Sequence, residues 1–140
     1  MELYKEVAIR RGTYPEFGYD NYLDFVKTAV EKGIYSNAIT DIYTDEELLE
    51  AEKFLNPNYD LDFDYAGMTM LINRYLLQDH GKAFELPQEM FLTISLLIAS
   101  TEKKEKRISV AKEIYKEIAG RRISLATPIL INLRRPNGNL

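Results

Sequence analysis

Between Pro87 and Ala99 the chain reads Pro-Gln-Glu-Met-Phe-Leu-Thr-Ile-Ser-Leu-Leu-Ile-Ala, and this segment constrains the fold more than any other. It opens as a helix should. Proline stands where no amide partner is needed, and Glu89 lies near the positive end of the dipole. The remainder of the segment, through Ile94, Leu97 and Ile98, is apolar over most of the helical circumference. Such a helix has to be enclosed by other elements. The apolar stretch from Met90 to Ala99 is too short to span a bilayer, which takes about 20 residues. It predicts the central helix of a soluble domain.

Helical periodicity supplies the surrounding elements. Leu3, Tyr4, Val7 and Ala8 make a short apolar face that stops at Gly12, and Leu23, Val26, Ala29 and Val30 make a second that stops at Gly33. Glycine at such positions suits a left-handed C-terminal cap. Thr44-Asp45-Glu46-Glu47 has the form of a capping box, opening a third helix with Leu48, Leu49, Ala51 and Leu55 before Asn56-Pro57. Asp64 is a candidate N-cap for a fourth carrying Tyr65, Met68, Leu71, Ile72 and Tyr75. After the central helix, a last long one carries Ile108, Ala111, Ile114, Tyr115 and Ile118, with Lys112, Glu113, Lys116 and Glu117 opposite and Gly120 at its end. The expectation is an all-α fold, a helical bundle of about six helices over residues 1–122.

Residues 123–140 differ in kind. Ile123 to Leu133 is rich in β-branched and aliphatic residues, and Pro128 pushes Thr127 toward an extended backbone. The segment reads as an extended stretch leaving the bundle, with a turn after it at Arg134-Arg135-Pro136-Asn137-Gly138.

Composition narrows the function classes. A hydrophobic fraction of 46% in 140 residues is enough for a real core. With 18 Lys and Arg against 22 Asp and Glu, the net charge of −4 argues against a general nucleic-acid binder. The chain contains no cysteine, so disulfides, thiolate metal sites and cysteine nucleophiles are excluded within it. The start of the chain lacks the basic residues and apolar stretch of a signal peptide, and a cytoplasmic location with no membrane partner is expected.

Most isolated chemical signals read as structural. Asp60, Asp62 and Asp64 alternate like the start of a calcium loop, but Tyr65 stands where glycine is needed and Leu71 where the bidentate glutamate should be. His80, the single histidine, lies in a loop sequence without other ligands and reads as solvated. The run from Glu102 to Arg107 reads as a solvated helix start. Arg121, Arg122, Arg134 and Arg135 flank the Thr127 segment and read first as surface or interface arginines. The tyrosines are expected to be core or boundary residues.

Three segments, in this order and spacing, carry a resemblance. They are Tyr65-Ala66-Gly67-Met68-Thr69-Met70-Leu71-Ile72-Asn73-Arg74-Tyr75-Leu76-Leu77, Glu85-Leu86-Pro87-Gln88-Glu89-Met90-Phe91, and Ile123-Ser124-Leu125-Ala126-Thr127-Pro128-Ile129-Leu130. Together they resemble the large subunits of aerobic ribonucleotide reductases. The first is similar to a helix ending in a basic residue and then Tyr-Leu, the second to a Glu-x-Pro-Gln entry into the central helix, and the third to a Ser-x-x-Thr-Pro segment. Tyr43-Thr44-Asp45-Glu46-Glu47 also suits the pattern, and the likeness runs from about Tyr4 to Leu140.

The resemblance implies radical reduction of ribonucleotides to deoxyribonucleotides, with this helical domain preceding an α/β barrel that holds the catalytic cysteines. It implies that Thr127 contacts the phosphate or ribose end of the substrate, for which a hydroxyl donor is suited. The implied partners are the remainder of the large subunit, a radical-generating small subunit and a ribonucleotide. No cofactor is expected in this chain, the family using a radical generator in the partner subunit and nucleotide effectors. The chain departs from the pattern where it reaches Asn139-Leu140, because a Ser-Cys would come next, and at its start, where the common ATP-binding regulatory domain is not seen. It is read as either a fragment or one piece of a split subunit, inactive alone, with residues 123–140 as the start of the barrel. The alternative is a free-standing α-helical interaction module, whose C-terminal segment would pack back onto the bundle.

Overall fold

The structure is a computed structural model and describes residues 2–15, 19, 21–120 and 132–136. Helix α6 (Pro87–Ala99) is the axis of the molecule, and every residue in it except Ile98 is buried. It packs against α7 (Arg107–Ala119), against the short α3 (Ala38–Ile42) and against a 3-10 turn over Pro57–Asp62. Helix α2 (Tyr22–Glu31) lies on α3 and on α4 (Asp45–Glu52), and α4 reaches α7. Helix α1 (Glu2–Arg11) buries Leu3, Val7 and Ala8. The apolar segment has the enclosure that its composition required.

The sequence signals for helix ends hold. Gly12 and Gly33 both take positive φ, 76° in each case, closing α1 and α2. The Thr44 hydroxyl accepts from the Glu47 amide at 3.2 Å, and the Thr44 amide donates to the Glu47 carboxylate at 2.9 Å. Asp64 caps α5 (Tyr65–Met70) by accepting from the Gly67 amide at 2.7 Å.

Several details differ from the periodicity reading. There are seven α-helices among the described residues; α3, at five residues, is too short to show a repeat. The buried face of α2 is Tyr22, Phe25, Val26 and Ala29, because the large rings take the inward stripe and leave Leu23 and Val30 half-buried. Helix α4 stops at Glu52, so Leu55 lies outside it, and Leu49 is exposed. Tyr65, expected on a buried face, is 88% exposed: it is the first residue of α5 and projects from the end of the helix. Asn132 and Leu133 belong to a turn rather than to an extended stretch, and the Arg135 amide donates to the Asn132 carbonyl at 3.0 Å. Leu133 packs against the core.

Helix α5 runs into a single wide turn, Leu71–Tyr75, in which the Leu76 amide reaches back to the Leu71 carbonyl at 2.9 Å. The chain then folds on itself through a two-residue hairpin. Gln78 pairs with Ala83 and Asp79 with Lys82, while His80 and Gly81 both take positive φ at the tip. His80 is solvated there, as its loop sequence predicts. The hairpin brings Glu85 alongside Leu77, just before α6 begins.

Removing side-chain volume from the axis should be far more damaging than removing it from the rim. Leu92 is 0% exposed, so Leu92→Ala should lower the unfolding free energy by about 2–5 kcal/mol in urea denaturation. Leu61 is 79% exposed, and Leu61→Ala should change it by less than about 0.5 kcal/mol.

Candidate functional site

The polar chemistry of the molecule is concentrated at the start of α6, where Glu85, Gln88 and Glu89 are all 0% exposed. A buried carboxylate or amide needs partners, and each of the three draws them from a different part of the chain.

Glu89 is met by α1. Arg11 donates through Nη1 to Glu89 Oε2 at 3.0 Å and through Nη2 to Oε1, and the same guanidinium donates to the Phe84 carbonyl at 2.8 and 2.9 Å. Its carbon lies 4.1 Å from the centre of the Phe25 ring, so α2 closes the pair from above. Glu89 also accepts from the Leu86 amide at 2.9 Å, satisfying a free donor of the first helical turn. Burial pushes the Glu89 carboxyl above its ordinary value, against the opposing pull of Arg11 and the Leu86 amide.

Gln88 joins the 3-10 turn to α7. Its Nε2 donates to Asp60 Oδ1 at 2.9 Å, and the Tyr115 hydroxyl donates to its Oε1 at 2.7 Å. The hydroxyls of Tyr4 and Tyr19 both donate to Asp60 Oδ2. Burial, and then the charge of Asp60, hold the Tyr19 hydroxyl well above its ordinary range, so it remains a donor throughout neutral pH. Asp60 is thus a structural acceptor, while Asp64 caps a helix, and neither lines a calcium loop.

Glu85 has the fullest set of partners. The Leu77 amide donates to Oε1 at 3.0 Å and the Tyr35 hydroxyl to Oε2. Arg134 donates through Nε to Oε2 at 2.8 Å and through Nη2 to Oε1 at 2.9 Å, and also to the Tyr75 carbonyl. Behind Tyr35, Thr93 lies 3.2 Å from its hydroxyl and 2.7 Å from that of Tyr22. The reading of Arg134 as a surface or interface arginine is therefore corrected: it is 1% exposed and sits between a buried carboxylate and a helix-end carbonyl. Its neighbour Arg135 is exposed. Thr127, Arg121 and Arg122 lie outside the described residues. The partnership of Glu85 had one sequence signal, an acid set between Phe84 and Leu86 at the mouth of an apolar helix.

The arrangement supports a scaffold. Among the described residues no group of three or more His, Cys, Asp or Glu could hold a metal ion, and no helix is long and apolar enough to cross a membrane. A cleft beside Arg11, Asn21 and Thr28 has a volume of about 40 Å³, against the roughly 300 Å³ at which small-molecule sites begin. A larger depression of about 400 Å³ lies along the outer face of α5 at Tyr65, Thr69, Met70 and Arg74, without converging buried polar groups.

The family described as "Ribonucleotide reductase, all-alpha domain" matches residues 61–138. Over 138 residues, 99% of its length, the chain is 46% identical to a ribonucleoside-diphosphate reductase subunit alpha of Synechocystis. It is 30% identical over 130 residues, 91% of its length, to the Escherichia coli ribonucleoside-diphosphate reductase 1 subunit alpha. To the subunit alpha of bacteriophage T4 it is 29% identical over 131 residues. The chain spans 17% of the length of each of these relatives. Likeness over nearly the whole chain removes the alternative of an interaction module with incidental similarity, although Leu133 and Arg134 do pack back onto the bundle as that alternative required.

The Arg11–Glu89 pair gives a pH-dependent expectation. Arg11→Met should destabilise the fold by about 3–5 kcal/mol at neutral pH, because Glu89 is left buried without its counter-charge. The carboxyl would then be held still higher in the folded state, which keeps a proton that the unfolded chain releases. The wild-type carboxyl is itself raised, so the variant's stability relative to wild type should fall as pH rises through the range in which folded wild-type Glu89 ionises, and recover toward acid. Urea titrations between pH 5 and 8 would show it; a deficit independent of pH would contradict the assignment.

Proposed function

Because this chain belongs to the ribonucleotide reductase family, as the all-alpha domain of the large subunit, we propose that it supports the radical reduction of ribonucleotides to deoxyribonucleotides without catalysing it alone. The observation that carries this reading is the match along 99% of the chain to a protein named as a ribonucleoside-diphosphate reductase subunit alpha. Around that match the physical features agree. The centre of the molecule is a closed core in which the buried Glu85, Gln88 and Glu89 side chains are all hydrogen-bonded, as suits a rigid support rather than a reaction cavity. No cysteine is present to form a thiyl radical or a redox pair. The chemistry belongs to the remainder of the subunit, a barrel to which this domain supplies one edge, and the radical comes from a small subunit. The chain itself holds no cofactor, and the substrate is a ribonucleoside diphosphate, in keeping with the relatives' names.

Within this reading Thr127 is the substrate contact. Its hydroxyl is a donor suited to a phosphate oxygen, and the proline after it in the sequence disfavours the helical region for its backbone.

Reconstitution tests the proposal. The chain alone should form no deoxyribonucleotide; mixed with a polypeptide carrying the remainder of the subunit and with the small subunit, it should. Persistent inactivity of a mixture in which the two pieces demonstrably associate would count against it. In the full-length subunit, Thr127→Ala should weaken substrate binding roughly tenfold, the worth of one hydrogen bond to a charged group, when titrated calorimetrically. Unchanged affinity would remove Thr127 from the site.

A further inference from the structure

Helix α5 differs from the other long-chain elements around α6 in how little of it is enclosed. None of its six residues is buried. Met68 leans on the core, whereas Tyr65 is 88% and Met70 48% exposed. Ala66 is exposed with them, as are Asn73 and Arg74 in the wide turn that follows. Tyr65, Thr69 and Asn73 are spaced four residues apart, and so are Ala66, Met70 and Arg74. Side chains at that spacing are neighbours on a helical surface, and these six line one open depression of about 400 Å³. Ile9 on α1 and Leu49 on α4 are exposed too, but one to a helix, which is ordinary for a protein surface. A tyrosine and a methionine set along one depression mark a face that another body covers.

The size of the face and the path of the chain indicate which body. A covered aromatic side chain contributes about 150–250 Å², whereas each side of a stable association between free partners gives up about 800 Å². A strip with two large apolar side chains is too small to hold a separate molecule by itself. A body joined to the same chain needs far less, because its effective concentration is about millimolar. The last described turn, residues 132–136, supplies such a junction. The Arg134 guanidinium donates to the Tyr75 carbonyl, and the Arg134 carbonyl accepts from the Ser36 amide at 2.8 Å. The turn is thereby fastened at the end of the strip, next to Arg74. At 1.5 Å per residue, the helical path from Tyr75 back to Tyr65 is only about 15 Å. The relatives of the chain are far longer than it is, since it spans 17% of their length.

We infer that the strip formed by residues 65–74 is the seat of the polypeptide that follows this domain in the full-length subunit. An apolar segment of that polypeptide closes over Tyr65 and Met70 and offers an oxygen acceptor to Arg74. This rests on the reading of the chain as one domain of a larger subunit.

Hydroxyl-radical footprinting of the full-length subunit, resolved by mass spectrometry, tests the inference. The reference is the labelling rate of the same residues in peptides from a digest. A joined segment at roughly millimolar effective concentration, with an intrinsic Kd of about 0.1 mM, occupies its seat about nine-tenths of the time, so Tyr65 should be labelled about tenfold more slowly than in the peptide. Met70 should be protected with it. Labelling of Tyr65 near the peptide rate would overturn the inference. So would protection that disappears on dilution, which would assign the face to a separate molecule such as a second copy. Tyr65→Asp removes the aromatic contact and places a charge under the cover without touching the core, so labelling of Met70 should rise; continued protection of Met70 in that variant would show that the cover does not rest on this strip. Reductase activity of the same preparation with its small subunit reads the functional proposal separately. An active subunit with Tyr65 unprotected would sink the seat alone, whereas an inactive subunit with both residues protected would count against the function and support the seat.

Discussion

Charge in a desolvated place is the constraint on which this molecule depends. Helix α6 is buried along its length, and its entry carries two carboxylates and an amide that water does not reach. In a low-dielectric surrounding, each must find a partner of matching sign and geometry or make the enclosure unfavourable. The partners come from α1, from the 3-10 turn with α7, and from the turn at residues 132–136. The polar side chains at one helix end thereby decide which distant parts of the chain meet there. The apolar remainder of α6 provides the driving force, and its first turn provides the addresses.

This division explains why the network is not merely a source of stability. Leu, Ile and Phe around α6 would tolerate many arrangements of roughly the right volume. Arg11 on Glu89 and Arg134 on Glu85 tolerate few, since a guanidinium fork satisfies a carboxylate from a narrow range of directions. Tyr4, Tyr19, Tyr35 and Tyr115 extend the same logic, each placing a hydroxyl donor on a buried acceptor through a rigid apolar ring. Tyrosine suits this task because burial keeps its proton in place while the ring fills space.

The sequence was most legible where structure is local. Thr44 with Glu47, Asp64, Pro87, Gly12 and Gly33 marked helix ends through interactions spanning a few residues, and those ends are where they were expected. The central place of α6 was legible too, because an unbroken apolar circumference has only one comfortable environment. Pairings across long separations were not. Nothing in the spacing of Arg134, 49 residues beyond Glu85, separates a buried partner from a solvated arginine. A five-residue helix such as α3 is shorter than the repeat that would announce it. The substrate role of Thr127 was read from a family pattern rather than from geometry, whereas the Glu-x-Pro-Gln string of that pattern acquired a physical meaning: its Glu85 and Gln88 are the hubs of the buried network.

The wide turn at Leu71–Tyr75 can be regarded as a single residue added to an otherwise regular helix. In an α-helix one residue corresponds to about 100° of rotation, so the addition shifts the angular phase of everything after it. With that phase, Leu76 and Leu77 turn inward and the Leu77 amide and Tyr75 carbonyl face the Glu85–Arg134 pair. Deleting the added residue would restore an ideal helix and swing those groups away together. The irregularity thus works as a phase correction, bringing the exit of one helix into alignment with the entry of the next.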